Sequence, residues 1–215
     1  MDSSPFSPYG ELAHRLLPSF PSSGDGAHDV SHLERVWRNA MAIHAEEGGD
    51  LELLAASVLL HDCVQVPKNS PLRDTASRLA ADEARKLLRI LGWAKPRIET
   101  VAGAIESHSY SAGITPASLE GRILQDADRL DAIGMTGIAR CFYTAGRMGS
   151  SLYAPIDPRG DTRPLDDRQF ALDHFPRKLL KLVDGFQTAT GRHLALQRQR
   201  ALQEFYEGML AEIGS

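Results

Sequence analysis

From Asp29 onward, apolar residues recur at intervals of three and four rather than two, the spacing of a helical stripe. Val30, Leu33, Val36, Trp37, Ala40 and Met41 form the first stripe, and Gly48-Gly49 ends it. Residues 51–61 are apolar on nearly every side, which predicts a helix at the centre of the fold. Prolines and an Asn-Ser pair make 64–74 a loop. A third helix, about 75–91, carries Leu79, Ala80, Ala84, Leu87, Leu88 and Leu91 and stops at Gly92. A fourth starts near Pro96, a favoured early helical position, and buries Ile98, Val101, Ala102 and Ile105. Ser118 can cap a fifth helix running through Leu119, Ile123, Leu124, Ala127 and Ile138, with an interruption around Gly134–Gly137.

Residues 149–168 show no periodicity and form a long loop, flanked or occupied by Arg147, Arg159 and Arg163, which could close over a ligand. Two more helices follow, at about 167–187 and 192–213. No stretch alternates like a strand, so the fold class is all-α. Residues 1–26, rich in Ser, Pro and Gly, read as a flexible N-terminal leader with a short helix near Glu11–Leu17. Residues 27–215 read as a single domain whose last helices form a C-terminal extension.

Composition narrows the class only a little. The 215 residues are 42% apolar and 24% charged, as in ordinary soluble proteins. A net charge of −4 offers no electrostatic footprint for nucleic acid or an anionic membrane. No apolar run reaches membrane-spanning length, and the N-terminus lacks the basic head and apolar centre of a signal peptide. Cys63 and Cys141 form no CxxC pair, which fits a reduced, cytoplasmic protein.

Three polar clusters stand out against the helices. His28-Asp29-x-x-His32 opens the first core helix, with its histidines on one face. His61-Asp62 lies where the most apolar helix gives way to the loop, and ionisable groups there need partners. Asp126-Ala127-Asp128-Arg129-Leu130-Asp131 puts Asp128 in phase with Leu124, an odd place for a carboxylate unless a cation meets it. Each has a bland alternative: a structural histidine, a chance His-Asp pair, a solvated acidic face. Two imidazoles and two carboxylates converging would suit Mn²⁺, Fe²⁺, Co²⁺, Ni²⁺ or Zn²⁺ and leave positions open for water and a phosphate oxygen.

The order His, His-Asp, Asp, together with HDVSHLERVWRNA, LLHDCVQVPKNSP, ESHSYSAG, LQDADRLDAIGMTGIAR and RPLDDRQFALDHFPRKLLKL, resembles the HD superfamily of metal-dependent phosphohydrolases. The longer strings look like its YedJ/YpgQ-like bacterial branch and cover most of 28–185. The resemblance implies a compact multi-helix HD-domain fold. It also implies one divalent metal ion on His32, His61, Asp62 and Asp128, manganese first, with Ni, Co, Fe, Zn or Mg as alternatives. Asp128 is preferred to Asp126 because it precedes Arg129-Leu130, as the family's last ligand does, and by helix phase.

Further roles are implied in the same way. Lys68 and Asn69, in the loop after the His-Asp pair, match a phosphate-contacting KN segment. His108 is expected to position substrate or transfer a proton, against a satisfied core histidine. Asp131 either positions a water or ribose hydroxyl or forms a salt bridge. Lys178 and Lys181, three apart, either meet a di- or triphosphate or face solvent, and His28 either supports the site or caps its helix. The acidic residues that follow the His-Asp pair in many guanosine-tetraphosphate hydrolases are replaced here by Cys63, Val64, Gln65 and Val66.

The expected substrate is a small phosphorylated molecule of the nucleotide class, with no nucleic-acid or membrane partner and a homodimer conceivable through the last two helices. Branch resemblance implies a nucleoside triphosphate pyrophosphohydrolase giving monophosphate and pyrophosphate. The alternatives are a deoxynucleoside monophosphate phosphomonoesterase and a non-catalytic metal or nucleotide sensor.

Overall fold

The structure, a computed structural model, describes residues 5–20, 29–64, 66, 75–109 and 112–214. Its elements are α1 (Gly10–Leu16), α2 (Val30–Glu47), α3 (Leu51–Leu60), α4 (Ala76–Ile90), α5 (Lys95–His108), α6 (Leu119–Asp131), α7 (Gly134–Met148), α8 (His174–Arg177) and α9 (Ala189–Glu212). The fold is all-α; among the described residues a single isolated bridge, Ser151 with Phe170, stands in place of any strand. None of the helices is long and apolar enough to cross a membrane. The chain divides into two compact units, Met1–Asp128 and Arg129–Ser215, a boundary inside the stretch read from sequence as one domain.

In the first unit α3 is the hub. It packs against α1, α2, α4 and α5, and every residue from Leu53 to Leu60 is buried. Ser57 is tolerated there because its hydroxyl donates to the Leu53 carbonyl at 2.8 Å. Side-chain caps set where the surrounding helices start. The Asp29 carboxylate accepts from the His32 amide at the head of α2, Asp50 accepts from Glu52 and Leu53 at α3, and Ser118 Oγ accepts from Gly121 at α6. Gly48, at φ 75°, ends α2 in a conformation costly for any residue with a Cβ. The segment read as a leader carries α1, and Phe6, Ala13 and Leu16 are buried.

Several sequence expectations need correction. Val30 and Leu79, assigned to apolar stripes, are exposed. The interruption expected around 134–137 falls slightly earlier: the fifth helix stops at Asp131, and α7 restarts at Gly134. A Cβ on Gly137 would lie 2.3 Å from the Ala132 carbonyl oxygen, so this turn requires glycine. The helix expected over 167–187 is instead a chain of short pieces, 3₁₀ at Ala171–Asp173, α8, then 3₁₀ at Leu179–Gly185. Lys178 sits at the junction with φ −136° and ψ −59°, just before the second 3₁₀ piece, which holds Lys181.

The core of the second unit includes an aromatic cluster of Phe142 from α7, Phe175 from α8, and Phe205 and Tyr206 from α9, with ring centroids 5.7–6.1 Å apart. The arginines around the 149–168 loop are engaged within this unit. Arg163 grips the buried Asp173, Arg159 pairs with Glu207 at 3.2 Å, and the Arg147 guanidinium lies 5.8 Å from the Tyr143 ring centroid.

Asp157 organises the loop itself. Its carboxylate accepts from the amides of Gly160, Asp161 and Thr162 and from the Thr162 hydroxyl. The Thr162 amide leads these bonds in holding the Asp157 pKa down to about 2, against the opposing effect of desolvation. A depressed carboxylate pKa stabilises the folded loop above the unfolded value of 3.8 and loses that contribution as pH falls through about 2. The amide proton resonances of Asp161 and Thr162 should therefore titrate with a midpoint near 2. In Asp157→Asn that titration should be absent.

Candidate metal centre

Four helices of the first unit deliver the polar side chains singled out above. The cap on Asp29 sets the start of α2, so that His32 falls in its first turn, 1% exposed. α3 delivers His61 at its C-terminal end, followed by Asp62; His61 is also 1% exposed. His108 is the last residue of α5, and Asp128 lies in the last two turns of α6.

These groups converge. The Nε2 atoms of His32 and His61 are 3.3 Å apart. Asp62 Oδ2 lies 3.7 Å from the first and 3.6 Å from the second. Asp128 Oδ1 lies 3.5 Å from His32 Nε2. The other Asp62 oxygen, Oδ1, faces His108 Nε2 at 3.9 Å, and the His108 ring stands edge-on to His61 with centroids 4.9 Å apart.

Tautomers follow from the backbone contacts. His61 Nδ1–H donates to the Val58 carbonyl at 2.8 Å, and His108 Nδ1–H donates to the Ile105 carbonyl at 2.6 Å. Carbonyls only accept, so Nδ1 carries the proton in the neutral rings and each Nε2 offers its lone pair to the cluster. Burial, then the neighbouring His61, lower the His108 pKa, while Asp128 and Asp62 oppose them; the neutral ring is favoured.

Two half-buried carboxylates beside nearly touching imidazole lone pairs form a donor set that fits a divalent cation. Backbone anchoring of Nδ1 is the outer support such ligands need. Two donor groupings are compact enough: His32, His61 and Asp128, and His61, Asp62 and His108. Both use His61, whose Nδ1 is committed to Val58, so both draw on the same Nε2 lone pair. Chemically they are one site rather than two.

The remaining residues are placed as follows. Asp126 is fully buried but belongs to neither grouping. Asp131 is 1% exposed and belongs to the second unit, where its carboxylate receives Arg140 Nη1 at 2.6 Å; this ion pair accounts for its burial. Lys178 and Lys181 also lie in the second unit. Lys68, Asn69 and His28 fall outside the described residues. Cys63, next to Asp62, is no nucleophile: burial, aided by Glu83 and Asp62, pushes its thiol up to about 12.

Two buried amides that the sequence reading did not single out bind the helices that carry the cluster to one another. Asn39 of α2 donates to the Ala127 carbonyl of α6 at 3.0 Å. Gln125 of α6 donates to the Ser107 carbonyl of α5 at 2.7 Å. Helix phase carried a hint of both. Asn39 is seven residues from His32 and Gln125 three from Asp128, each on its ligand's own face.

Comparison with known proteins agrees with this arrangement. The HD domain family model matches residues 29–133. YpgQ of Bacillus subtilis, an uncharacterised protein, is 36% identical over 207 residues, covering 94% of this chain and 93% of its own. Its crystal structure, solved in complex with ADP, superposes with a TM-score of 0.73 at 32% identity, over 94% of this chain and 98% of that one. A Lactobacillus plantarum protein superposes with a TM-score of 0.74 at 30% identity, over 99% and 98% of the two chains. An HD-superfamily hydrolase from Bacillus thuringiensis gives 0.66 at 30% identity, over 94% and 93%. The helical fold, the clustered His, His-Asp and Asp, and the near full-length likeness to YpgQ together make this chain a member of the HD superfamily of metal-dependent phosphohydrolases, in its YpgQ-like branch.

Proposed function

We propose that this protein is a nucleoside triphosphate pyrophosphohydrolase releasing monophosphate and pyrophosphate, and that His32, His61, Asp62 and Asp128 hold one divalent ion, manganese by preference. The observation that carries the reading is the convergence of two Nε2 lone pairs and two carboxylates beside a third, neutral histidine. The ADP complex of YpgQ favours a nucleotide over other phosphorylated molecules. The ion, when bound, lowers the pKa of water and takes up charge on phosphorus-bound oxygens.

The chain's own groups supply the rest. His108 holds an available lone pair 3.9 Å from Asp62 Oδ1 and serves to accept a proton from the attacking water. Val58 and Ile105 lock the His61 and His108 rings so that neither needs to reorient during the reaction. Lys68 and Asn69 are assigned to phosphate contacts.

The test is product-resolved hydrolysis of a nucleotide panel with Mn²⁺, wild type and Asp128→Ala in parallel. Pyrophosphate from triphosphates is expected, with turnover lower in the variant by at least about 100-fold. Orthophosphate from deoxynucleoside monophosphates would replace this reading with a phosphomonoesterase. Tight nucleotide binding without turnover across several metals would replace it with a sensor.

A further inference from the structure

Gln125 has two unusual properties. It is 2% exposed in the interior of the first unit, and one end of its amide has no partner among the described residues. The bonded end is Nε2, because the Ser107 oxygen 2.7 Å away can only accept. Oε1 is therefore a buried carbonyl oxygen without a donor among the described residues. A methionine or leucine would fill similar volume without stranding an acceptor, so filling space does not account for glutamine here.

The bond it does make has a specific target. Ser107 precedes His108 in the last turn of α5, where carbonyls have no amide of their own helix to accept from. The Ser107 hydroxyl is already directed backward, to the carbonyls of Gly103 and Ala104. Beyond Ser107 the helix ends: Ser109 is extended, with φ −70° and ψ 132°. Gln125 thus braces from α6 the turn that carries His108.

α6 is brought close enough by Gly121, one turn earlier on the Gln125 face. A Cβ on Gly121 would lie 3.4 Å from the Ala104 Cα, itself one turn before His108. One turn beyond Gln125 on the same helix comes Asp128, which meets His32. A single face of α6 therefore bears the contact with α5, the brace and a ligand carboxylate.

We propose that Gln125 is a positioning residue that acts through His108, bracing the end of α5 so that His108 Nε2 faces Asp62 Oδ1. The kinetic part of this inference rests on the proton-transfer role given to His108 above; the structural part does not.

The experiment uses the full-length protein, with Gln125→Met as a donor-free replacement of similar length. Gln125→Asn, which keeps an amide but shortens its reach, is read if the methionine variant fails to fold. In metal-free protein the His108 imidazole ¹H–¹⁵N resonances should move, while those of the exposed His14 and His193 stay in place. Mn²⁺ affinity, by direct titration, should change less than about threefold, while kcat falls about 10- to 100-fold at nearly constant KM. In a His108→Ala background the same substitution should cost less than about threefold, because the residue it acts through is gone.

Unmoved His108 resonances, or an equal loss with and without His108, would overturn the proposal. Should the wild type turn over no nucleotide, the function reading fails alone and the imidazole spectrum still decides the role of Gln125.

Discussion

Asp62→Ala should abolish metal-dependent hydrolysis, lowering kcat/KM by about three orders of magnitude or more, which corresponds to about 4 kcal/mol. The size of the effect follows from the two directions this carboxylate faces. Oδ2 lies 3.6–3.7 Å from the His32 and His61 imidazoles, the proposed ligands, while Oδ1 looks at His108 from 3.9 Å. Truncation removes one of two anionic donors and also the carboxylate opposite the proposed base. What remains is two imidazoles and Asp128, which compensate a dication poorly.

Metal-free fold stability, unlike activity, should change little. Asp62 is 30% exposed, so metal-free Asp62→Ala should unfold within about 1 kcal/mol of metal-free wild type. The rise in Tm that Mn²⁺ gives the wild type should vanish, because it reflects binding to the native state alone. Calorimetry with and without Mn²⁺, paired with turnover, checks both halves. A variant that keeps the metal-dependent shift and loses less than tenfold in rate would exclude Asp62 from the ligand set.

The helices of the first unit were legible because their signals are local. Apolar spacing, glycine at the stops of α2 and α4, and Pro96 near the start of α5 place the bounds read for α2 to α5 within a residue or two of the structure. Clustering of His32, His61, Asp62 and Asp128 was legible only as motif order, since the convergence joins residues nearly a hundred positions apart. The second unit was read less well. Its 3₁₀ segments repeat every three residues rather than 3.6, and over so few residues a stripe cannot distinguish them from an α-helix. The break after Asp131 was legible in part, from Gly134 and Gly137, while its position just before them reflects Gly137 packing against the Ala132 carbonyl. Asn39 and Gln125 were missed because a polar residue on a helix reads as solvated until its distant carbonyl partner is known.

The same kind of long-range pairing sets the second large expectation, Arg163→Ala. Arg163 reaches Asp173 through two bonds, Nη1 to Oδ2 at 2.6 Å and Nη2 to Oδ1 at 2.7 Å. Its Nε donates to the Asp157 carbonyl at 2.9 Å, and its guanidinium lies 5.1 Å from the Phe170 ring centroid. The Asp173 side chain is fully buried, with the Asp166 amide at 2.7 Å as its other bond. Removing the arginine leaves a buried carboxylate with one amide and no counter-charge, a defect costing about 3–5 kcal/mol. Tm should fall by about 6–20 °C at the 2–4 °C per kcal/mol usual for chains of this size. Lysine at 163 should recover only part of the loss, since it supplies charge without the two-pronged geometry or the ring contact. Replacing both partners, Arg163→Met with Asp173→Leu, should recover most of it, because the penalty comes from the stranded charge rather than from the worth of the pair. Calorimetric unfolding of the three variants decides the matter. A loss below about 1 kcal/mol in Arg163→Ala would mean that water reaches Asp173 and that the pair behaves like an exposed one.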